Sequence, residues 1–162
     1  MKRNKGFTLI ELLVVIAIIG ILSAVVLASL NTARAKGSDA AIKSQLASIR
    51  PQAEIIFDNR GNYGTPGLAL SAGNCPTVAD DSLFGTTSPV NVLNQILGAE
   101  NTSGGAANTA CVALPAGGPA TSWAAAANLK SDPTHSWCVD STGASKQESV
   151  TADNAFASGA CI

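Results

Sequence analysis

Glu11 is the residue whose type and position most demand a chemical explanation. It lies inside an apolar run that opens abruptly at Phe7, and between it and Arg34 there is no Lys, Arg or His. A carboxylate in hydrocarbon costs about 2.5 to 3.5 kcal/mol on insertion scales for the comparable Asp, unless it is paired. Glu11 therefore either reaches an interface near a helix end, is protonated, or meets a cation made after synthesis. The other chemistry-bearing residues are sparse. Four cysteines, Cys75, Cys111, Cys138 and Cys161, all follow the apolar run. An even number on the exported side reads as two disulfides in an oxidising compartment. Zinc is the rival, but no two cysteines are close in sequence and His135 is the one histidine. With no GxSxG and no helical HExxH, no nucleophile–base set emerges and the reading is non-enzymatic, with no cofactor. Asp80–Asp81 offers two carboxylates for calcium, yet without the usual ligand spacing; a solvated turn or a cap before Ser82 and Leu83 is the plainer reading, so no metal site is assigned. Asn101-Thr102-Ser103 is a glycosylation sequon, a pattern short enough to arise by chance.

These residues must be positioned by two very different stretches of a 162-residue chain. From Leu12 to Leu30 there is no charge, and LLVVIAIIGILSAVVLASL is long enough to cross a bilayer as a helix. Lys2, Arg3 and Lys5 precede it without an acid. From Asp58 onward there are three bases against eight acids, a surface that repels nucleic acid and offers it no site. An ordinary secretory signal has a shorter apolar core and no carboxylate in it, although small residues around Ala33 and Ala35 imitate a cleavage site. Gly20 and Ser23 read as packing residues that permit close helix approach.

The segment KGFTLIELLVVIAIIGIL, Lys5 to Leu22, resembles the leader and helix start of type IV prepilins and pseudopilins. Gly6, Phe7, Thr8 and Glu11 match that pattern. The resemblance implies that a prepilin peptidase cuts between Gly6 and Phe7 and methylates the new amine of Phe7. It also implies a single-pass precursor in the cytoplasmic membrane with its N-terminus inside, an orientation that charge alone leaves open because Arg34 and Lys36 follow the run. Cutting before Phe7 creates a cation about four residues, roughly 6 Å of helix rise, from Glu11. In a stack of staggered helices Glu11 of one copy then neutralises the Phe7 amine of another. Such a pair sets axial register and is shielded from salt.

Beyond Asn31, Ile42, Leu46, Ile49, Ala53 and Ile56 recur at helical spacing, with Asp39, Lys43, Ser44, Gln45, Arg50 and Glu54 suited to a wetted opposite face. The expectation is a long helix from Phe7 to about Phe57, on the order of 75 Å, weakened at Gly37 and bent at Pro51. It stops in the turn-rich Asp58–Gly67. To about Ser122 loops are expected, with a short helix or strand at Val90–Leu97. Thr121–Leu129 and Ser136–Thr142 form a hairpin across KSDPTH, with Trp123 and Trp137 as packing residues. The alanines 124–127 have low strand propensity, so that strand leans on the resemblance. Gly143–Ile162 reads as a loop returning to Cys161. Of three connectivities, the simplest joins Cys75 to Cys111 and Cys138 to Cys161, and pilins close a C-terminal loop in this way.

The fold class is therefore α+β: a long N-terminal helix on a small antiparallel head with disulfide-tied loops. The divisions expected are leader 1–6, membrane or filament-core helix 7–30, amphipathic continuation 31–60 and head 61–162. The implied function is a structural subunit of a type IV pilus-like surface filament. Its partners are further copies of itself, the membrane, the prepilin peptidase, and the assembly platform and motor. Alternatives are a pseudopilin of a type II secretion or DNA-uptake system, a bitopic extracellular binding protein, and a protein secreted through an ordinary signal.

Overall fold

The structure, a computed structural model, describes residues 6–65, 75, 81–86, 92–115 and 117–162. Leader residues 1–5, Asp80, and Pro66 and Gly67 of the expected turn lie outside them. The chain divides into two compact units, to Ala35 and from Lys36 onward.

In the first unit, helix α1 begins at Leu9; it runs on to Ala47 in the second. Its apolar residues from Leu9 to Leu30 are exposed, and the helix is long and apolar enough to cross a membrane. Among the described residues this stretch stays exposed, and an apolar surface of that extent needs lipid or another molecule to cover it.

The second unit is built on the stripe Ile42, Leu46, Ile49, Ala53 and Ile56, all buried. The helix does not run smoothly through it. It is interrupted at Ser48, and α2 follows over Ile49–Arg60. Pro51 is the cause: its ring crowds the carbonyl of Ala47 and it has no N–H to give. The Ser48 N–H is shared between the carbonyls of Ser44 and Gln45, each at 3.2 Å. The interruption thus falls three residues upstream of the proline, while Gly37 leaves α1 unbroken. Gly61, with φ of 72°, ends α2 in the left-handed conformation and donates to Phe57 O at 2.6 Å. Gly64, at φ of 90°, lies against the Asp81 carbonyl, where a Cβ would stand 1.9 Å from the oxygen.

Val92–Ser103 forms helix α3, burying Val92, Ile96, Ala99 and Ser103. The short helix or strand expected at Val90–Leu97 is thus a helix that runs six residues further, to Ser103, while Val90 and Asn91 lie outside the described residues. Strand β1, Thr109–Leu114, occupies a stretch expected to be loop. It pairs antiparallel with β2, Ser122–Asn128, which pairs with β3, Ser136–Asp140, and that with β4, Ser145–Glu148. The tail is not a plain loop either. It supplies β4, a 3-10 turn at Ala152–Asn154, and a small hairpin of β5, Phe156–Ala157, with β6, Ala160–Cys161.

The alanine run is a strand because the sheet is covered on both faces. Trp123, Ala125 and Ala127 join the helix-side core with Cys111, Ala113 and Val139. Ala126 joins Ala110, Cys138, Ala152 and Ala155 on the tail side. Small side chains let both layers approach closely, and tertiary packing overrides weak propensity. Trp123 is the helix-side keystone, meeting Phe84 and Tyr63 edge-on at 6.1 and 6.4 Å between ring centres. Replacing Ala125 with Leu should overfill this layer and cost about 1 to 3 kcal/mol, read as a lower denaturant midpoint for the full chain in detergent; an unchanged midpoint would show the layer to be loosely packed.

The wetted face expected for the helix is only partly so. Asp39 is buried and accepts from Lys130 N at 2.6 Å, Ser131 N at 3.2 Å and the Ser131 hydroxyl. Arg50 donates to the carbonyls of Ala144 at 2.6 Å and Asp140 at 3.3 Å. Lys43 lies 4.5 Å over the Trp137 ring. Polar residues at the margins of the stripe thus complete the backbone bonding of the head's loops, a long-range role that helical periodicity does not encode.

Candidate functional site

Thr8 stands immediately before the first residue of α1 and Glu11 three residues on. The Thr8 N–H donates to Glu11 Oε2 at 2.8 Å, and the Thr8 hydroxyl donates to the same oxygen at 2.7 Å. In return the Glu11 N–H reaches Thr8 Oγ1 at 3.3 Å. This is a reciprocal cap, which satisfies two of the amides that every helix start leaves unpaired. The carboxylate also lies at the positive end of the helix dipole. The pattern T-x-x-E before an apolar run encodes this cap, and the reading of Glu11 as an unpartnered carboxylate overlooked it. Glu11 has a local partner before any cleavage.

Gly6 and Phe7, the residues flanking the expected cut, are both exposed, and the space where a Gly6 side chain would begin is open. Four residues of exposed chain thus bring together a flexible glycine, an apolar aromatic, a cap donor and a carboxylate. The arrangement can hold a negative charge at a defined depth on an apolar helix, and its backbone is reachable on the side where the chain leaves that helix.

The cysteines lie in the second unit. Cys75 is bonded to Cys111 and Cys138 to Cys161. Strand alternation separates the two bonds: Cys111 belongs to the helix-side core and Cys138 to the tail-side core. The second bond therefore fastens the C-terminal hairpin over the alanine face of β2.

Asp140 is the residue that sequence reasoning missed here. It is 1% exposed. Its Oδ1 accepts from the amides of Thr142 at 2.9 Å and Ala144 at 3.0 Å and from the Thr142 hydroxyl at 2.7 Å. Its Oδ2 accepts from the Cys161 amide at 2.8 Å. Burial by itself would raise this carboxyl, but the Cys161 amide, the Thr142 hydroxyl and the remaining amides together hold it below the ordinary aspartate value. One carboxylate thereby closes the β3–β4 turn and pins the disulfide-bearing strand.

Asp132, His135 and Thr134 form a small exposed network in the β2–β3 turn. Thr134's hydroxyl and amide, helped by His135 at 2.9 Å, lower the Asp132 carboxyl. The hydroxyl donates to Asp132 Oδ1 at 2.6 Å, so it is engaged as a turn-former. Asp81 pairs with Arg60 at 2.8 Å. Among the described residues no three His, Cys, Asp or Glu side chains converge as a metal site.

Comparison with known proteins places these features in context. Residues 1–27 match the family described as the prokaryotic N-terminal methylation motif. The chain is 38% identical over 81 residues to the type IV wide pilus major component PilA4 of Thermus thermophilus, covering 49% of this chain and 62% of that protein. It is 36% identical over 61 residues to the type IV major pilin protein PilA of Myxococcus xanthus, covering 38% of this chain and 28% of that one. Against fimbrial protein Q of Moraxella bovis it is 32% identical over 117 residues, covering 72% of this chain and 69% of that protein. The match therefore spans less than two thirds of the first two relatives' own lengths. No solved structure gives a significant match.

Proposed function

The chain belongs to the type IV pilin family, and from that premise we propose that it is a non-enzymatic structural subunit of a type IV pilus-like surface filament. The observation that carries this reading is the exposed apolar face of α1 from Leu9 to Leu30, opening on the Thr8–Glu11 cap. A face of this extent is satisfied by lipid before assembly and by like helices after it.

In this account the leader is residues 1–6, and the peptidase cuts between Gly6 and Phe7 and methylates the Phe7 amine. Residues 7–30 span the cytoplasmic membrane with the N-terminus inside and later form the filament core. Residues 31–60 continue as the helix that carries the head, 61–162. Glu11 exchanges its local Thr8 contacts for the Phe7 amine of a neighbouring copy. Burial in an apolar surrounding favours that exchange, because a carboxylate there gains more from a full positive charge than from neutral donors. The assembly platform and motor supply extraction from the bilayer.

Electron microscopy with antibody raised against the head tests the reading. Fibres sheared from the cell surface should be decorated along their length. Label confined to membrane sheets, with fibres bare or absent, would favour a pseudopilin or a bitopic binding protein instead.

A further inference from the structure

Once the leader is removed, the bases of the described chain divide into two groups. Five are engaged: Lys43 with Trp137, Arg50 and Lys130 with carbonyls, Arg60 with Asp81 and Lys146 with Glu148. Arg34 and Lys36, one turn past the apolar run, have no hydrogen-bond or ion-pair partner among the described residues. Two residues apart on a helix, they point to opposite sides, so they face different surroundings. Arg34 shares its side with Leu30, four residues earlier, which is 48% exposed.

A complementary stripe lies on the outer face of α2. Glu54, Ile55 and Asp58 are neighbours on that helix at spacings of three and four, and all are exposed, Ile55 at 53%. Glu54 accepts from the Tyr63 hydroxyl at 3.2 Å, which leaves its charge uncompensated, and Asp58 has no partner among the described residues. The one stripe is a base beside an aliphatic side chain; the other is two acids beside an aliphatic side chain.

We propose that these two stripes meet between copies: Arg34 of one copy lies between Glu54 and Asp58 of another, with Leu30 on Ile55. The occupant is a second copy of this chain because the charges and the apolar residues match in kind. Among the described residues that follow the leader, Arg34 and Lys36 are also the cations still available to answer an acidic surface. This contact rests on the filament reading above and adds to it a second ionic latch beyond the Phe7–Glu11 pair. Being near solvent, it makes filament cohesion sensitive to salt, whereas the core pair is screened little.

The test is a charge swap in the full chain: Arg34→Asp, Asp58→Arg, and both together. Membrane precursor is followed by immunoblot and sheared filament by mass. Both side chains are exposed and have no partner among the described residues, so precursor levels should match wild type. Each single change sets like charges against each other and should lower filament yield about tenfold or more, and the double change should restore at least half of it. Wild-type yield from either single change overturns the latch, as does a double change no better than the singles. Loss of Arg34→Asp precursor from the membrane would assign Arg34 to anionic lipid headgroups and also overturn it. Failure of the wild-type chain to form fibres would remove the filament reading itself, an outcome read separately from the swap.

Discussion

Glu11→Gln should leave a stable, membrane-inserted, processed subunit that makes almost no filament. Glutamine keeps the oxygen that accepts from the Thr8 amide, and the reciprocal cap tolerates Gln at this position. The start of α1 is thereby preserved and only the charge is lost. If Glu11 neutralises the Phe7 amine of a neighbour, its loss strands a buried cation, at a cost of about 3 to 5 kcal/mol. At 1.4 kcal/mol per tenfold, that lowers each subunit-addition equilibrium by roughly two to three and a half orders of magnitude. The control is Thr8→Ala, which removes the capping hydroxyl for about 1 kcal/mol but keeps the carboxylate; it should still assemble. Sheared-filament yield from the two variants decides the matter. Equal loss in both would make Glu11 a cap and nothing more, and normal yield from Glu11→Gln would remove the charge from the account.

The second large effect is expected in the head. Asp140→Ala strips the acceptor from three amides and a hydroxyl at once. A fully buried donor left unsatisfied costs about 1 to 3 kcal/mol; these donors sit on exposed Thr142 and half-buried Ala144 and Cys161, so water and relaxation of the turn recover part of that. A net loss of about 3 kcal/mol is expected in denaturant unfolding of the full chain in detergent. The pH dependence follows from the lowered carboxyl. Its contribution is complete above the unfolded-state value of about 3.9 and disappears as pH falls through the lower folded value. The gap between wild type and Asp140→Ala should therefore be constant at neutral pH and close only in strong acid. A gap below about 0.5 kcal/mol at neutral pH, the range of ordinary surface changes, would show that Asp140 adds nothing to the disulfide and the tail-side packing.

What could be read from the sequence was what local patterns encode. The apolar run, the stripe from Ile42 to Ile56 and the hairpin across KSDPTH follow from hydropathy, helical period and turn residues, and the structure has all three. Strand β1 escaped because its neighbours in sequence are Gly-, Ala- and Asn-rich. Its strand state depends on pairing with β2 and on burial beneath the helix, which are non-local. The tail escaped for a related reason: β4 is short and polar, and the β5–β6 hairpin has two residues per strand, too few for alternation to register. Pro51 was visible, but where the break fell was not, since it depends on which carbonyls Ser48 can share. Within the candidate site, Thr8 and Glu11 were singled out for their match to the prepilin pattern, yet their mutual cap was missed although T-x-x-E spells it. Asp39 could not be found this way, because a carboxylate that caps a loop far along the chain looks in sequence like any surface acid; Asp140 makes local turn bonds to Thr142 and Ala144, and only its reach to Cys161 lay beyond local pattern.

Processing and surface export are read together from the intact mass and N-terminal sequence of this protein recovered from fibres sheared off the cell surface. The expected result is a chain in the sheared fraction that starts at Phe7 and is heavier by one methyl group than the sequence requires. A chain that starts near residue 30, or one that still carries residues 1–6, would contradict it.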